Sequence, residues 1–334
     1  MSYKMKRILP IIVMFLAFGY AALAVVRSSE RELRQPRRAA PEFRSSTAAN
    51  SVVMLPAPLV AFSGGTFEAS GVAHVPGTDG VLFVDDGRTD EIFWMRLGEG
   101  RNQASAIKAI KLGVSVIDLE GITTDGAHFY IVGSQSKSKG SDMAGLVRFK
   151  FDAQGQRVEG VETVSGLKKF LAENVAELRG MENRKYKDGG INVEGVAWDA
   201  RGKTLLLGLR SPVVDGHALV VPLKLRDPRG AFSQDNLQVE GAKAIRLPLG
   251  GVGIRSIEYD ERRKAFRVLS GAAANNEKDD FKLWEWDGDV ARPVLREAGA
   301  FDRRLKPEGI TRVASGGRDF TFIVFDTSGY ASAD

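Results

Sequence analysis

One local grammar recurs five times along this chain, and that recurrence limits the fold more than any other feature. The clearest copies read "DLEGITTDGAHFYIVGS" from Asp118, "NVEGVAWDARGKTLLLGL" from Asn192 and "KPEGITRVASGGRDFTFIVF" from Lys306. Two degenerate copies begin at Ala69 and Gly253; they put Ser70 and Arg255 where the others have Glu120, Glu194 and Glu308. The five units are spaced by 50, 74, 61 and 53 residues.

Each unit has the same parts in the same order. A short strand reaches an acidic or Gly turn, and an apolar strand follows ("VLFV", "FYIV", "TLLLGL", "FRVL", "FTFIVF"). Next comes an alternating strand such as "EIFWMRL" or "FKLWEW", then a weaker fourth one: "AIKAIKL", "RVEGVETV", "AKAIRLPL", "DVARPVL". Short strands with turn signals, repeated at tens of residues, indicate an all-β propeller built from four-stranded blades. Five blades are counted, with six left open by the closing region. The last unit is short after its second strand, while "SVVMLPAPLVAFSGGTF" supplies an N-terminal strand with no blade of its own. That strand is expected to complete the final blade, leaving the ring no free edge.

The longest spacing has a local cause. In "GLKKFLAENVAELRGMENRKYKDGG", Leu167, Phe170, Leu171, Val175 and Leu178 fall at helical intervals. One inserted helix is expected between blades two and three, either packed on them or covering one face as a lid. Trp94, Trp198, Trp284 and Trp286 fall in strands and read as blade packing.

The first strand of each blade lines the central channel, so equivalent positions should converge. The expected axial ring is Ser70, Glu120, Glu194, Arg255 and Glu308. Carboxylates brought so close must be paired or bind a cation. Three readings stay open: ion pairing through Arg255 with Arg210 or Lys306, a hard metal such as Ca²⁺ held by Glu120, Glu194 and Glu308, or a solvated polar funnel. Loops after the second strands should emerge on one face. There Asp85, Asp86, Ser134, Ser136, Arg210, Asn275, Asn276 and Asp326 either hydrogen-bond an oxygen-rich ligand or simply solvate turns.

At the N-terminus Lys4, Lys6 and Arg7 precede the uncharged run Ile8–Val26, just long enough to cross a hydrocarbon core. "Ala22-Leu23-Ala24" has signal-peptidase form. Residues 1–26 therefore read as a cleaved signal or a membrane-anchor helix, 27–50 as a disordered tether and 51–334 as the propeller domain. Five arginines follow the run at once, which opposes an outside C-terminus for an anchor. Signal-type grammar still favours a periplasmic or extracytoplasmic place, secreted or anchored in the inner membrane.

Composition removes several classes. The net charge of +5 hides its origin, since residues 1–50 hold nine Lys/Arg against three Glu. The remaining chain is nearly neutral, so nucleic acid is not expected as a partner. Without cysteine there is no disulfide, thiolate nucleophile or zinc ribbon. The three histidines, His74, His128 and His217, have no metal spacing.

These motifs, with "LLLGLRSPVVDGHALVVPL", "PLGGVGIRSIEYD" and "VFDTS", resemble a bacterial propeller family catalogued as domain of unknown function 3616, over roughly residues 66–329. The Glu-Gly strand is similar, more remotely, to esterase-like phytase propellers and calcium-dependent gluconolactonase-type propellers. That second likeness implies phosphoester or lactone hydrolysis at a central metal, but Ser70 and Arg255 break the ring it would need. The reading is a monomeric propeller that binds a small polar ligand or a partner protein at the loop face and axial site. The alternative is a Ca²⁺-type hydrolase.

Overall fold

A computed structural model describes residues 60–98, 106–136, 143–274, 280–315 and 317–333. The segments read above as signal or anchor and as tether lie outside the described residues, as do Asn275 and Asn276. Among the described residues no helix is long and apolar enough to cross a membrane.

The strands form five antiparallel sheets in a propeller ring. The first strand, β1 (Val60–Ala61), belongs to the last sheet. Blade one holds β2 (Ala69–His74), β3 (Gly80–Asp85), β4 (Glu91–Arg96) and β5 (Lys108–Lys111). Blade two holds β6 (Leu119–Thr124), β7 (Phe129–Gly133), β8 (Ala144–Asp152) and β9 (Arg157–Ser165). Blade three runs β10 (Asn192–Asp199), β11 (Thr204–Ser211) and β12 (Ala218–Leu225), its outer edge shared by β13 (Leu237–Val239) and β14 (Ile245–Leu247). Blade four is β15 (Gly253–Asp260), β16 (Ala265–Gly271), β17 (Phe281–Trp286) and β18 (Leu295–Phe301). Blade five is β19 (Pro307–Ser315), β20 (Arg318–Phe325) and β21 (Gly329–Ala333).

Closure follows the expected route. Strand β1 pairs with β21, Val60 opposite Tyr330 and Ala61 opposite Gly329, so the N-terminal strand supplies the outer edge of blade five. Phe62 extends the seam: its N–H donates to the Ser328 carbonyl at 3.3 Å, and its ring stacks on Phe83 of blade one. One expected strand is displaced. The fourth strand of blade four starts only at Leu295, the last residue of "DVARPVL", and runs on to Phe301, because Asp289 accepts the backbone N–H groups of Ala291 and Arg292 and folds the stretch before it into turns.

The hydrophobic core is divided among the blade interfaces. Leu82, Ile92 and Trp94 of blade one meet Ile131, Val147 and Phe149 of blade two. Leu206 and Val220 of blade three meet Phe266 and Trp286 of blade four, and Leu283 and Phe301 meet Ile323 and Phe325 of blade five. Phe83 and Phe93 close the circle against Phe322 and Tyr330. The insert joins the interface of blades two and three. Helix α1 (Leu167–Asn174) and the 3₁₀ turn after it bury Leu167, Phe170, Leu171, Val175 and Leu178 among Tyr130, Leu207 and Leu219. It packs as a wedge between blades.

The inner strands approach one another too closely for side chains at one position. A Cβ on Gly71 would lie 2.5 Å from the Glu120 carbonyl oxygen of the next blade. One on Gly309 would lie 2.9 Å from the Cα of Gly71. A strand glycine at such a place marks close backbone approach. Blade four has Ser256 there instead, and its hydroxyl accepts the Ile310 N–H of blade five at 3.3 Å.

A half-buried acid joins blades four and five below this level. Glu258 Oε1 accepts the Thr311 hydroxyl at 2.6 Å and the Arg312 N–H at 2.9 Å, while its Oε2 is enclosed without a donor among the described residues. Burial pushes its pKa up to about 7, against those two hydrogen bonds and nearby Arg267. The folded chain thus holds a proton there that the unfolded chain has released. Stability from this group is complete below the unfolded value and is lost as pH rises through about 7. Glu258→Gln is expected to narrow the fall in melting temperature between about pH 5 and about pH 8, by at least ~2 °C at this chain size. Parallel melting curves of the two proteins across pH would remove Glu258 from the account.

Candidate functional site

The five expected ring residues share a backbone device. In every blade the pairing of the inner strand with its neighbour slips by one residue: between Ala69 and Gly71, Leu119 and Gly121, Val193 and Gly195, Ile254 and Ser256, and Pro307 and Gly309. The residue left over is Ser70, Glu120, Glu194, Arg255 or Glu308. A β-bulge leaves its extra residue outside the ladder and re-aims its side chain. The sequence repeat therefore marks five bulges at the same end of five inner strands.

Side-chain contacts bring three of the five directly together. Arg255 Nη1 stands 2.8 Å from Glu194 Oε2, and Arg255 Nη2 donates to Glu308 Oε1. Glu194 Oε1 also accepts from Arg210 Nη1 and from Asn192 Nδ2, each at 3.0 Å. Arg210 Nε donates to the Ala272 carbonyl at 2.9 Å, tying blade three to blade four. Glu194 and Glu308 are 3% and 6% exposed, so these are ion pairs inside the protein. Ser70 is also buried and donates its hydroxyl to the Glu68 carbonyl at 3.3 Å.

Glu120 is different. Among the described residues it makes no hydrogen bond or ion pair, and it keeps part of its surface open. Burial raises its pKa well above the usual carboxylate range; the Glu194 charge adds to this and Arg255 opposes it. Burial likewise pushes Glu308 up to about 7, with Arg255 pulling down and Glu194 pushing up. Arg255 is held charged: burial works against it, but Glu194, Glu308 and Glu120 outweigh that cost. The ring thus sets two guanidinium-bound carboxyl groups beside a third, Glu120, that ionises less readily than an ordinary carboxyl.

A second set stands two residues before each ring residue, at the start of the inner strand or just ahead of it: Glu68, Asp118, Asn192, Gly253 and Lys306. Asn192 is 3% exposed, and its Oδ1 is enclosed with no donor among the described residues. Asp118 and Lys306 have φ of 58° and 45°, left-handed backbone that is strained for residues with a Cβ. Strain of this kind gathers at ligand sites.

The expected loop-face residues adjoin this set. Ser134 and Ser136 donate to Asp118 Oδ2 at 2.5 and 3.1 Å. Asp85, the buried last residue of β3, accepts the N–H groups of Glu68 and Gly87. Asp326 takes Lys306 Nζ at 2.9 Å. Asp86 is exposed, and its pKa is pushed up to about 7 by partial burial, then by the charges of Glu68, Asp118, Asp326 and Asp85. Arg210 is the penultimate residue of β11, and its guanidinium turns inward to the ring instead of lining a loop. Sequence reasoning missed Glu68, Asp118 and Asn192. The signal was in the repeat itself, two positions before each ring residue. Among the described residues no group of three His, Asp or Glu side chains is placed to hold one metal ion.

Comparison with known proteins gives a family and a general fold likeness. Residues 152–327 match the family described as protein of unknown function (DUF3616). No curated protein matches the chain. Among solved structures, the chain is similar to the soluble aldose sugar dehydrogenase of Escherichia coli at 12% identity, covering 82% of this chain and 97% of that one, with a TM-score of 0.41. It is similar to the PQQ domain of pyranose dehydrogenase from Coprinopsis cinerea at 10% identity, covering 84% and 96%, with a TM-score of 0.44. At that distance no chemistry transfers from either.

Proposed function

The chain belongs to the DUF3616 family, and from that premise we propose that it is a binding propeller that holds a small polar ligand at the mouth of its axial ring. The observation that carries this reading is the pairing of a committed ion cluster with uncommitted polar groups beside it. Arg255, Arg210, Glu194 and Glu308 pair with one another, whereas among the described residues the Glu120 carboxyl, the enclosed Asn192 Oδ1 acceptor and the enclosed Arg255 Nε donor have no hydrogen-bond partner. A buried polar atom without a partner is costly unless something arrives to meet it. A ligand that donates and accepts hydrogen bonds would do so, with the loop-face residues around it. We place this activity on the extracytoplasmic side, in a monomer, on the strength of the N-terminal signal-type segment and the closed ring.

A thermal-shift screen of the full chain against polyols, sugars, amines, carboxylates and phosphates tests the reading. At least one compound should raise the melting temperature of the wild type and fail to raise that of Asn192→Ala. Compounds that stabilise both proteins equally would count against the site. A second reading, lactone or phosphoester hydrolysis, draws support from Glu120, since a carboxyl whose pKa is raised by burial is suited to act as a general acid. Turnover of such substrates that survives Glu120→Gln would remove it.

A further inference from the structure

We propose that Arg267 is a proton-operated latch between blades four and five: it holds the Thr321 hydroxyl of blade five while Glu258 carries a proton, and turns to Glu258 when that proton leaves. Glu258 and Arg267 stand directly opposite each other on β15 and β16, so their side chains share one face of blade four at close cross-strand distance. Both reach blade five. Glu258 Oε1 accepts from the Thr311 hydroxyl and the Arg312 N–H, and Arg267 Nη1 donates to the Thr321 hydroxyl. What each side chain leaves over is complementary. Glu258 Oε2 is an enclosed acceptor and Arg267 Nε an enclosed donor, neither with a hydrogen-bond partner among the described residues. Yet no ion pair joins the two side chains among those residues.

A carboxyl group beside a guanidinium that it does not touch is an arrangement a protonated acid allows. Once ionised and enclosed, Glu258 needs a charged donor, and the other charges around it are already taken. Asp260 of β15 is met by Arg263 at 3.4 Å and by Arg312 of β19 at 3.7 Å, and Arg263 also meets Glu285 of β17 at 2.7 Å. Asp319 of β20 holds Arg312 at 2.7 Å and Arg262 at 3.1 Å. At the same end of β10, Asp199 is held by Arg201 at 2.9 Å. From blade one, the His74 N–H donates to the Thr311 hydroxyl at 3.1 Å, while its ring faces the Thr78 carbonyl at 2.9 Å. That leaves Arg267, only 6% exposed, as the guanidinium with an unused N–H on the Glu258 side. Turning to Glu258 Oε2 would pair the two enclosed atoms and release Thr321. One tie between the blades is then lost as pH rises. The same two inner strands carry Arg255 and Glu308 three residues before Glu258 and Thr311, so the loosened joint borders the ring.

Thermal melting of the full chain and its variants reads the latch. Thr321→Val removes the hydroxyl at nearly constant shape. It is expected to lower the melting temperature by at least about 2 °C at about pH 5, the scale of one hydrogen bond to a charged group at this chain size, and by less than about 1 °C at about pH 8.5. In a Glu258→Gln background, where no carboxylate can form, the loss should be the same at both pH values. Equal losses at the two pH values in the wild-type background overturn the latch. A pH-dependent loss that persists in Glu258→Gln also overturns it and assigns the response to another group, His74 being the nearest titratable one. Crystal structures of the wild type at about pH 5 and about pH 8.5 decide the matter should a variant fail to fold. Arg267 is expected against Thr321 in the first and against Glu258 Oε2 in the second; one position at both pH values overturns the proposal.

Discussion

Replacing Arg255 with methionine is expected to destabilise the fold by about 3–5 kcal/mol, the cost of removing one partner from a buried ion cluster. The loss falls unequally on the two acids. Glu194 keeps Arg210 and Asn192, both at 3.0 Å. Glu308, only 6% exposed, loses its one ion pair among the described residues. It must then take up a proton or stay charged without compensation. The deficit should therefore shrink on acidification, because a protonated Glu308 needs no guanidinium. Denaturant unfolding of both proteins at about pH 5 and about pH 8 reads this. A loss below about 1 kcal/mol, the range of surface pairs, would mean that the cluster contributes little.

The second large effect concerns the backbone of the ring. Gly71→Val is expected to cost roughly 3 kcal/mol, at the upper end of overpacking. The first added carbon would meet the Glu120 carbonyl oxygen at 2.5 Å and the Ile122 nitrogen at 3.0 Å, both main-chain atoms of the next blade. Neither can rotate aside, and shifting them would pull Glu120 off the axis. Gly65→Ala is the control. A Cβ there meets nothing nearer than the Phe67 ring at 3.6 Å, so a change within about 0.5 kcal/mol is expected. Melting of the two variants beside the wild type separates ring geometry from the general effect of losing a glycine.

Much of this architecture was legible because the fold repeats. A pattern read five times averages out local accidents, and the Glu-Gly string gave the blade count, the axial positions and the closing role of the N-terminal strand. What stayed hidden is what depends on three-dimensional neighbours. That Ser70, Glu120, Glu194, Arg255 and Glu308 are each a bulge cannot be seen in one strand, since a bulge is a relation between two. The inward turn of Arg210 was hidden because a charged residue at a strand end usually points to solvent. The fourth strand of blade four was misplaced because "DVARPVL" has strand-like composition, while Asp289 binds the backbone locally and turns it. Asn192 was passed over beside the more conspicuous Glu194, although its Oδ1 is an enclosed acceptor with no donor among the described residues.

The account stands or falls on whether residues far apart in sequence meet at one axis through Arg255. A double-mutant cycle between Arg255→Met and Glu308→Gln, read by denaturant unfolding, measures that meeting. Coupling of at least about 1.5 kcal/mol is predicted for two groups sharing a buried ion pair. Additive effects, within about 0.5 kcal/mol, would show that the two side chains do not meet and would contradict the ring.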